Sequence, residues 1–161
     1  MANWREKVLS EVVPDPDSIH FLGKVPYDQL LGNLRLSSAH VYLTYPFVLS
    51  WSLLEAMACG AVVIGSATQP VEEVIEDGRN GLLVDFFDAK AVTDHVVEAL
   101  ERASDDPGSL MALRAAARRT VVERFDLSRV CLPAQVGLIA DLHAGRRSSV
   151  PDVKTPARIG P

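Results

Sequence analysis

At 161 residues with 48% apolar content, the chain has the size and composition of one folded domain with a core of its own. The formal charge is -5, and because Arg146, Arg147, Lys154 and Arg158 against Asp152 make the segment from His143 to Pro161 positive by three, the remainder stands at -8, which argues against nucleic-acid binding. Two cysteines, Cys59 and Cys131, lack framework or metal spacing, so the reducing cytosol is the expected compartment, and the apolar runs contain neither a membrane span nor a signal-peptide core.

After a polar lead-in from Asn3 to Asp17, the run from Ser18 to Leu22, closed by Gly23, predicts a first strand, and Leu30, Leu31 and Leu34 predict a helix over Tyr27 to Leu36. His40 to Thr44 predicts the next strand. The helix that follows runs from Ser50 to Cys59 and closes at Gly60, a natural residue for a left-handed helix end. Ala61 to Gly65 is a continuous apolar run of the kind buried on both faces of a parallel sheet. Gln69 to Glu76 predicts a short helix with Pro70 near its start, the turn residues Asp77 to Gly81 end it, and Leu82 to Phe86 predicts a fourth strand.

From Asp88 onward the pattern is helical only. Val92, Val96 and Leu100 mark one helix, and Leu110, Leu113, Ala117 and Val121 mark another after the break at Asp105-Asp106-Pro107-Gly108. A further helix is predicted from Ser128 to Leu142, with Pro133 as a kink or a first-turn residue, and residues 143–161 read as a disordered tail. Strands alternating with helices, then helices alone, describe a doubly wound α/β domain with a Rossmann-like parallel sheet. No internal repeat is present, and no GxGxxG or P-loop follows a predicted strand.

Chemistry concentrates between Pro46 and Gly60. A strand running into a helix start is where open α/β sheets bind phosphorylated ligands, because unpaired amides and the helix dipole point at the anion. Ser50 is a good N-cap and Ser52 lies in the first turn, with simple capping as the alternative. Glu55 lies three residues after Ser52, so both can face one volume; a buried Glu needs a partner such as a vicinal diol, whereas a solvent-facing Glu needs none. Glu72 and Glu73 repeat the pattern after the next strand, or simply complement a dipole. Asp15-Pro16-Asp17 belongs to a turn rather than a metal motif, the four histidines are scattered without zinc spacing, and no G-x-S-x-G marks a hydrolase.

Phe21-Leu22-Gly23, LEAMACG at Leu54 to Gly60, VVIGS at Val62 to Ser66, PVEEVI at Pro70 to Ile75, DGRNGLLV at Asp77 to Val84, and the helix with Leu113-Arg114 and Ala115 to Arg119 follow one another in order. Over roughly Ser18 to Leu142 this series resembles the C-terminal, donor-binding domain of family four retaining glycosyltransferases of the GT-B fold. The resemblance implies a hexosyltransferase-type enzyme that takes a UDP-, GDP- or ADP-sugar, passes the sugar to an acceptor with retention, and needs no metal or other cofactor. It implies that amides near Ser50, Trp51 and Ser52 cradle the diphosphate, that Glu55 holds the ribose hydroxyls, that Glu73 is the acidic residue of the P-E-[IV] segment, and that Lys24 and Val25 lie against the base.

Two departures bear on activity. Phe47 occupies the place of the family's first Glu, eight residues before Glu55, and the cationic residues of the family's first βα unit have no counterpart, so residues 1–17 read as a remnant of that unit. The acceptor-binding N-terminal domain is expected to be missing too, and the chain alone to be inactive. A peripheral place at the inner membrane face would then come through that missing domain. A noncatalytic nucleotide-binding or interaction module is the alternative; a sugar-nucleotide epimerase shares the doubly wound half, but its catalytic motifs are not found.

Overall fold

The computed structural model describes residues 3–45 and 48–146. In chain order the elements are α1 (Trp4–Glu11), α2 (Tyr27–Leu36), β1 (His40–Tyr42), α3 (Trp51–Ala58), β2 (Val63–Ser66), α4 (Gln69–Glu72), β3 (Leu82–Val84), α5 (Ala89–Asp105), α6 (Met111–Phe125) and α7 (Leu132–His143). The three strands form one parallel sheet in the order β1-β2-β3, with His40 opposite Val63, Tyr42 opposite Gly65, Ile64 opposite Leu82 and Ser66 opposite Val84.

Every residue of β2 is buried, as its unbroken apolar run requires. Alternation along the strand sends Val63 into a core with Leu34, Leu53, Ala56, Met57, Val71 and Ala117, contributed by α2, α3, α4 and α6. Ile64 faces the opposite core with Val62, Val84, Ala99 and Leu110, backed by Val92 and Val96 of α5. Helices therefore cover both faces, and the expected doubly wound α/β architecture is present. A Cβ on Gly65 would stand 3.0 Å from a Val71 methyl and 3.3 Å from Ile75, so only glycine lets the segment after α4 pack this closely on the sheet.

Several predicted bounds hold. The α2 range is as expected, and α3 is capped by Ser50 at its start and closed by Gly60 at φ +74°, with Gly60 N–H donating to Met57 O and Ala61 N–H to Ala56 O. Arg114 donates to the carbonyls of Gly60 (2.6 Å) and Ser37 (3.2 Å), and Arg118 to that of Ala58, so cations of α6 finish the C-terminus of α3. Pro133 takes the first turn of α7 rather than a kink. Asp15 sits in a turn as expected, and hydrogen bonds from the Ser18 hydroxyl and the Asp17 amide hold its carboxyl below the usual range. No described helix is long and apolar enough to cross a membrane.

Other expectations fail for physical reasons. Ser18 to Leu22 forms no strand: Ile19, Phe21 and Leu22 are exposed, and the segment pairs with no strand among the described residues. β propensity without a partner backbone leaves only an extended loop. The polar lead-in instead contains α1, where Asn3 Oδ1 accepts from Glu6 N–H (3.0 Å) and Asn3 donates to the Glu6 carboxylate (3.0 Å); the spacing of Asn3 and Glu6 was the missed capping signal. In α5 the buried residue is Ala99 rather than Leu100, because seven residues after Val92 complete nearly two turns and eight overshoot. The helix expected to reach Glu76 ends at Glu72 and continues as a turn, and at Glu76 the N–H donates to Asn80 Oδ1 (2.7 Å). From residue 147 onward the expected tail lies outside the described residues.

Asn80 is 2% exposed and also donates to the Val74 carbonyl and the Thr120 hydroxyl, each at 3.0 Å. Replacing Asn80 by Ala leaves the buried Val74 carbonyl and the part-buried Glu76 N–H without the amide, while the Thr120 hydroxyl keeps its bond to the Ala116 carbonyl. Urea denaturation is expected to show a loss of about 1–3 kcal/mol with an unchanged slope; a loss below about 0.5 kcal/mol would mean that water replaces the amide without cost.

Candidate functional site

The carboxyl end of β1 leads to the N-terminus of α3, and there Ser50 adopts an extended conformation (φ -79°, ψ 144°). Its Oγ accepts from Ser52 N–H at 3.4 Å and lies 3.0 Å from the Ser52 hydroxyl, while its own N–H donates to the Tyr42 hydroxyl at 2.8 Å. Trp51, the first helical residue, is 82% exposed. The cap thus takes the Ser52 N–H and the Ser50 carbonyl takes the Leu53 N–H (3.2 Å), with the positive end of the helix dipole at the strand's carboxyl end.

Burial of Leu53, Ala56 and Met57 fixes how α3 rotates, and Glu55 falls on the flank of that apolar face, half-buried. The Tyr27 hydroxyl donates to Glu55 Oε1 at 2.9 Å. That bond, with smaller contributions from desolvation and from the charge of Glu55, raises the Tyr27 pKa above its ordinary value. Glu55 borders two recesses. One, of about 520 Å³, is lined by Tyr27, Leu31, Arg35, Ala58, Cys59 and Arg118; the other, of about 210 Å³, is lined by Trp51, Leu54, Ala58, Val121 and Phe125.

The residues singled out by sequence are only partly gathered. Ser50, Trp51 and Ser52 form the α3 start, but the Ser52 hydroxyl turns to Ser50, and Ser52 lines neither recess that Glu55 lines. Lys24 is exposed and Val25 half-buried in the loop before α2, and Tyr27 links the end of that loop to Glu55. Glu73 is exposed at the end of α4, where its carbonyl accepts from Arg124 at 2.9 Å; its carboxylate joins neither recess. Phe47 lies outside the described residues. Among the described residues no cluster of three or more His, Cys, Asp or Glu side chains has a geometry that holds a metal.

Tyr27, Arg35 and Arg118 border the main recess without having been identified from sequence. The spacing of Tyr27, Leu31 and Arg35, four residues apart on one face of α2, was the available signal for the first two. Arg118 reaches the recess through the tertiary packing of α6 on α3, which leaves no local trace.

Residues 5–120 match the family described as Glycosyl transferases group 1. The chain is 32% identical over 114 residues to N-acetyl-alpha-D-glucosaminyl L-malate synthase of Bacillus anthracis, covering 71% of this chain and 28% of that protein. It is 35% identical over 79 residues to alpha-maltose-1-phosphate synthase of Mycolicibacterium smegmatis, covering 48% and 20%. Among solved structures, sucrose-phosphate synthase from Thermosynechococcus elongatus superposes with a TM-score of 0.70 at 27% identity, over 88% of this chain and 34% of that one. Anabaena Alr3699/HepE, solved in complex with UDP, shares the fold with a TM-score of 0.65 at 20% identity, over 77% of this chain and 33% of that one. The chain therefore spans a fifth to about a third of the length of these proteins.

Because the Tyr27 pKa is raised, its neutral phenol and the bond to Glu55 persist through neutral pH and are lost as pH rises through the raised value. Glu55→Gln removes the charge and weakens the acceptor, so NMR titration of the Tyr27 ring is expected to show its pKa falling back toward the ordinary tyrosine value. An unchanged titration would mean that the two side chains do not pair in solution.

Proposed function

From a chain that belongs to the group 1 glycosyltransferases, as a C-terminal domain of the GT-B fold, we propose the donor-binding half of an enzyme that transfers a sugar from a nucleoside diphosphate with retention. The observation that carries this reading is the position of Glu55: half-buried on the flank of α3, one turn from the positive end of the helix dipole, and bonded to a tyrosine that ends the Lys24–Val25 loop. Each part of the ligand then meets suitable chemistry. First-turn amides near Ser50, Trp51 and Ser52 take the diphosphate, Glu55 takes the ribose diol, and Lys24 and Val25 border the base. Glu73, at the C-terminal end of α4, enters this reading only as the match to the acidic residue of the P-E-[IV] segment.

Transfer with a diphosphate leaving group builds negative charge that must be offset where water is excluded. Amides and one helix dipole supply part of this. With Phe47 at the place of a sugar-side carboxylate, the reading gives the isolated 161 residues donor binding and little or no turnover, the acceptor being held by a further domain. UDP-, GDP- and ADP-sugars all fit this chemistry, because the ribose and diphosphate that Glu55 and the helix start would hold are common to all three.

Phe47 also favours a second reading, a noncatalytic nucleotide-binding module. Both readings predict binding of UDP, GDP or ADP by calorimetry; they part on turnover once the rest of the protein is supplied. Glu55→Ala is expected to weaken the nucleoside diphosphate that binds by about 1.5–3 kcal/mol, the range for a hydrogen bond to a charged group. No measurable change would take Glu55 out of the ribose role, absence of binding by the unmodified chain would overturn the donor-site reading, and turnover near ~10 per second by the 161 residues alone would overturn their inactivity.

A further inference from the structure

Glu55 stands between two recesses, and Tyr27 decides which of them its carboxylate serves. Glu55 lines both, whereas Tyr27 lines only the larger, of about 520 Å³, together with Leu31; Leu54, Val121 and Phe125 line the smaller, of about 210 Å³. A glutamate side chain turns about several single bonds, so its backbone position alone does not choose between the two. The Tyr27 hydroxyl donates to Glu55 Oε1 at 2.9 Å from the larger side. That donor is itself held in place. Tyr27 is the first residue of α2, directly after Pro26, and Leu34 of the same helix is buried in the core while Leu30 and Leu31 pack against it. The bond therefore runs from one packed helix to another.

The bond leaves most of the carboxylate unoccupied. An ionised carboxylate offers roughly four acceptor positions on its two oxygens. Tyr27 takes one of those on Oε1, and among the described residues none donates to Oε2. A vicinal diol brings two hydroxyl donors side by side, and the position left on Oε1 together with those on Oε2 accepts both. Tyr27 lies two residues past Val25, so the wall that pins the carboxylate continues into the loop assigned to the base. Stability alone gives such a bond little to secure, because Tyr27 is 59% exposed and water can replace either partner at small cost.

We propose that Tyr27 is the positioning residue that turns Glu55 into the larger recess, so that a ribose diol is read there and ribose is preferred to 2′-deoxyribose through this tyrosine. The proposal rests on the ribose role given to Glu55. Its physical basis is preorganisation: a carboxylate already pinned loses less rotamer freedom when the diol arrives. A sugar that lacks one hydroxyl gains less from the pinned group, because an acceptor aimed at two donors then meets one. The single hydroxyl proton of Tyr27 is committed to Oε1, so the tyrosine acts through Glu55 rather than on the sugar.

The test uses the full chain with whichever of UDP, GDP and ADP binds and with its 2′-deoxy counterpart, dUDP, dGDP or dADP, titrated by calorimetry. Tyr27→Phe keeps the ring and removes the hydroxyl. It is expected to weaken the ribonucleotide by about 3- to 10-fold and to leave the deoxynucleotide within about 2-fold, so that the preference for ribose shrinks. In a Glu55→Ala background the same substitution is expected to cost nothing further, as for any residue that acts through another. In the wild type, the ribonucleotide is expected to shift the methyl NMR signals of Leu31 and to spare those of Val121. Equal weakening of both nucleotides would make the bond merely structural and overturn the inference, as would shifts at Val121 in place of Leu31. A further loss in the Glu55→Ala background would put Tyr27 on the ligand itself and overturn its positioning role. A wild-type chain that binds no diphosphate, or binds ribo- and deoxynucleotide alike, overturns the ribose reading of Glu55 and the inference with it, whereas a wild-type preference kept in full by Tyr27→Phe overturns the inference alone.

Discussion

Complete burial of β2 is the constraint from which the rest of the domain follows. A strand with no exposed residue needs a neighbouring strand on each edge and a helical layer on each face, and β1, β3 and the two cores supply these. The same burial limits what its polar residue can do. Ser66 has no access to water, so its hydroxyl must find protein partners, and those at hand are the Thr44 backbone groups where β1 ends. Burying a serine at the end of the central strand thereby decides where the neighbouring strand leaves the sheet.

Helix α3 inherits its rotation from the same core. With Leu53, Ala56 and Met57 fully buried against β2, the helical period leaves Trp51 outside and puts Glu55 at the boundary, where one carboxylate oxygen meets Tyr27 and both recesses remain within reach. Arg114 and Arg118 reinforce the arrangement from the other end by donating to carbonyls at and just beyond the C-terminus of α3. Their cations complement the negative end of the dipole, while at the positive end the Ser50 cap takes the Ser52 N–H at the strand's carboxyl edge.

What could be read from sequence was what local chemistry decides. The bounds of α2, the Ser50 cap, the Gly60 stop, the buried character of β2 and the break before Leu110 all depend on residues within one or two turns of each other. Ser18 to Leu22 was misread because a strand exists only with a partner, and pairing is not local. β1 ends two residues early for a reason held by Ser66, twenty-two residues further on. Glu55 was found because a carboxylate in an apolar helix stands out, whereas its partner Tyr27 lay unremarked at an ordinary helix start twenty-eight residues earlier. Side chains whose role depends on the far member of a pair leave no pattern in their own segment.

The recesses beside Glu55 bear on how much of a binding site this domain can provide. Pockets that hold drug-sized ligands enclose most of the ligand surface, commonly 70–90%. Here the carboxylate stands at the border between a larger recess with two guanidinium groups and a smaller, largely apolar one, and Trp51 beside the helix start is exposed. In the proposed function such a surface offers recognition from one side: a helix start for an anion, a carboxylate for hydroxyls, an apolar strip for a ring. Among the described residues it has no opposing wall, so water would stay in contact with a bound phosphate and screen the helix start that holds it. In the proposed function, covering this face is what a second domain contributes first. Excluding water would strengthen the helix-start interactions already in place, before any residue of that second domain takes part in the transfer.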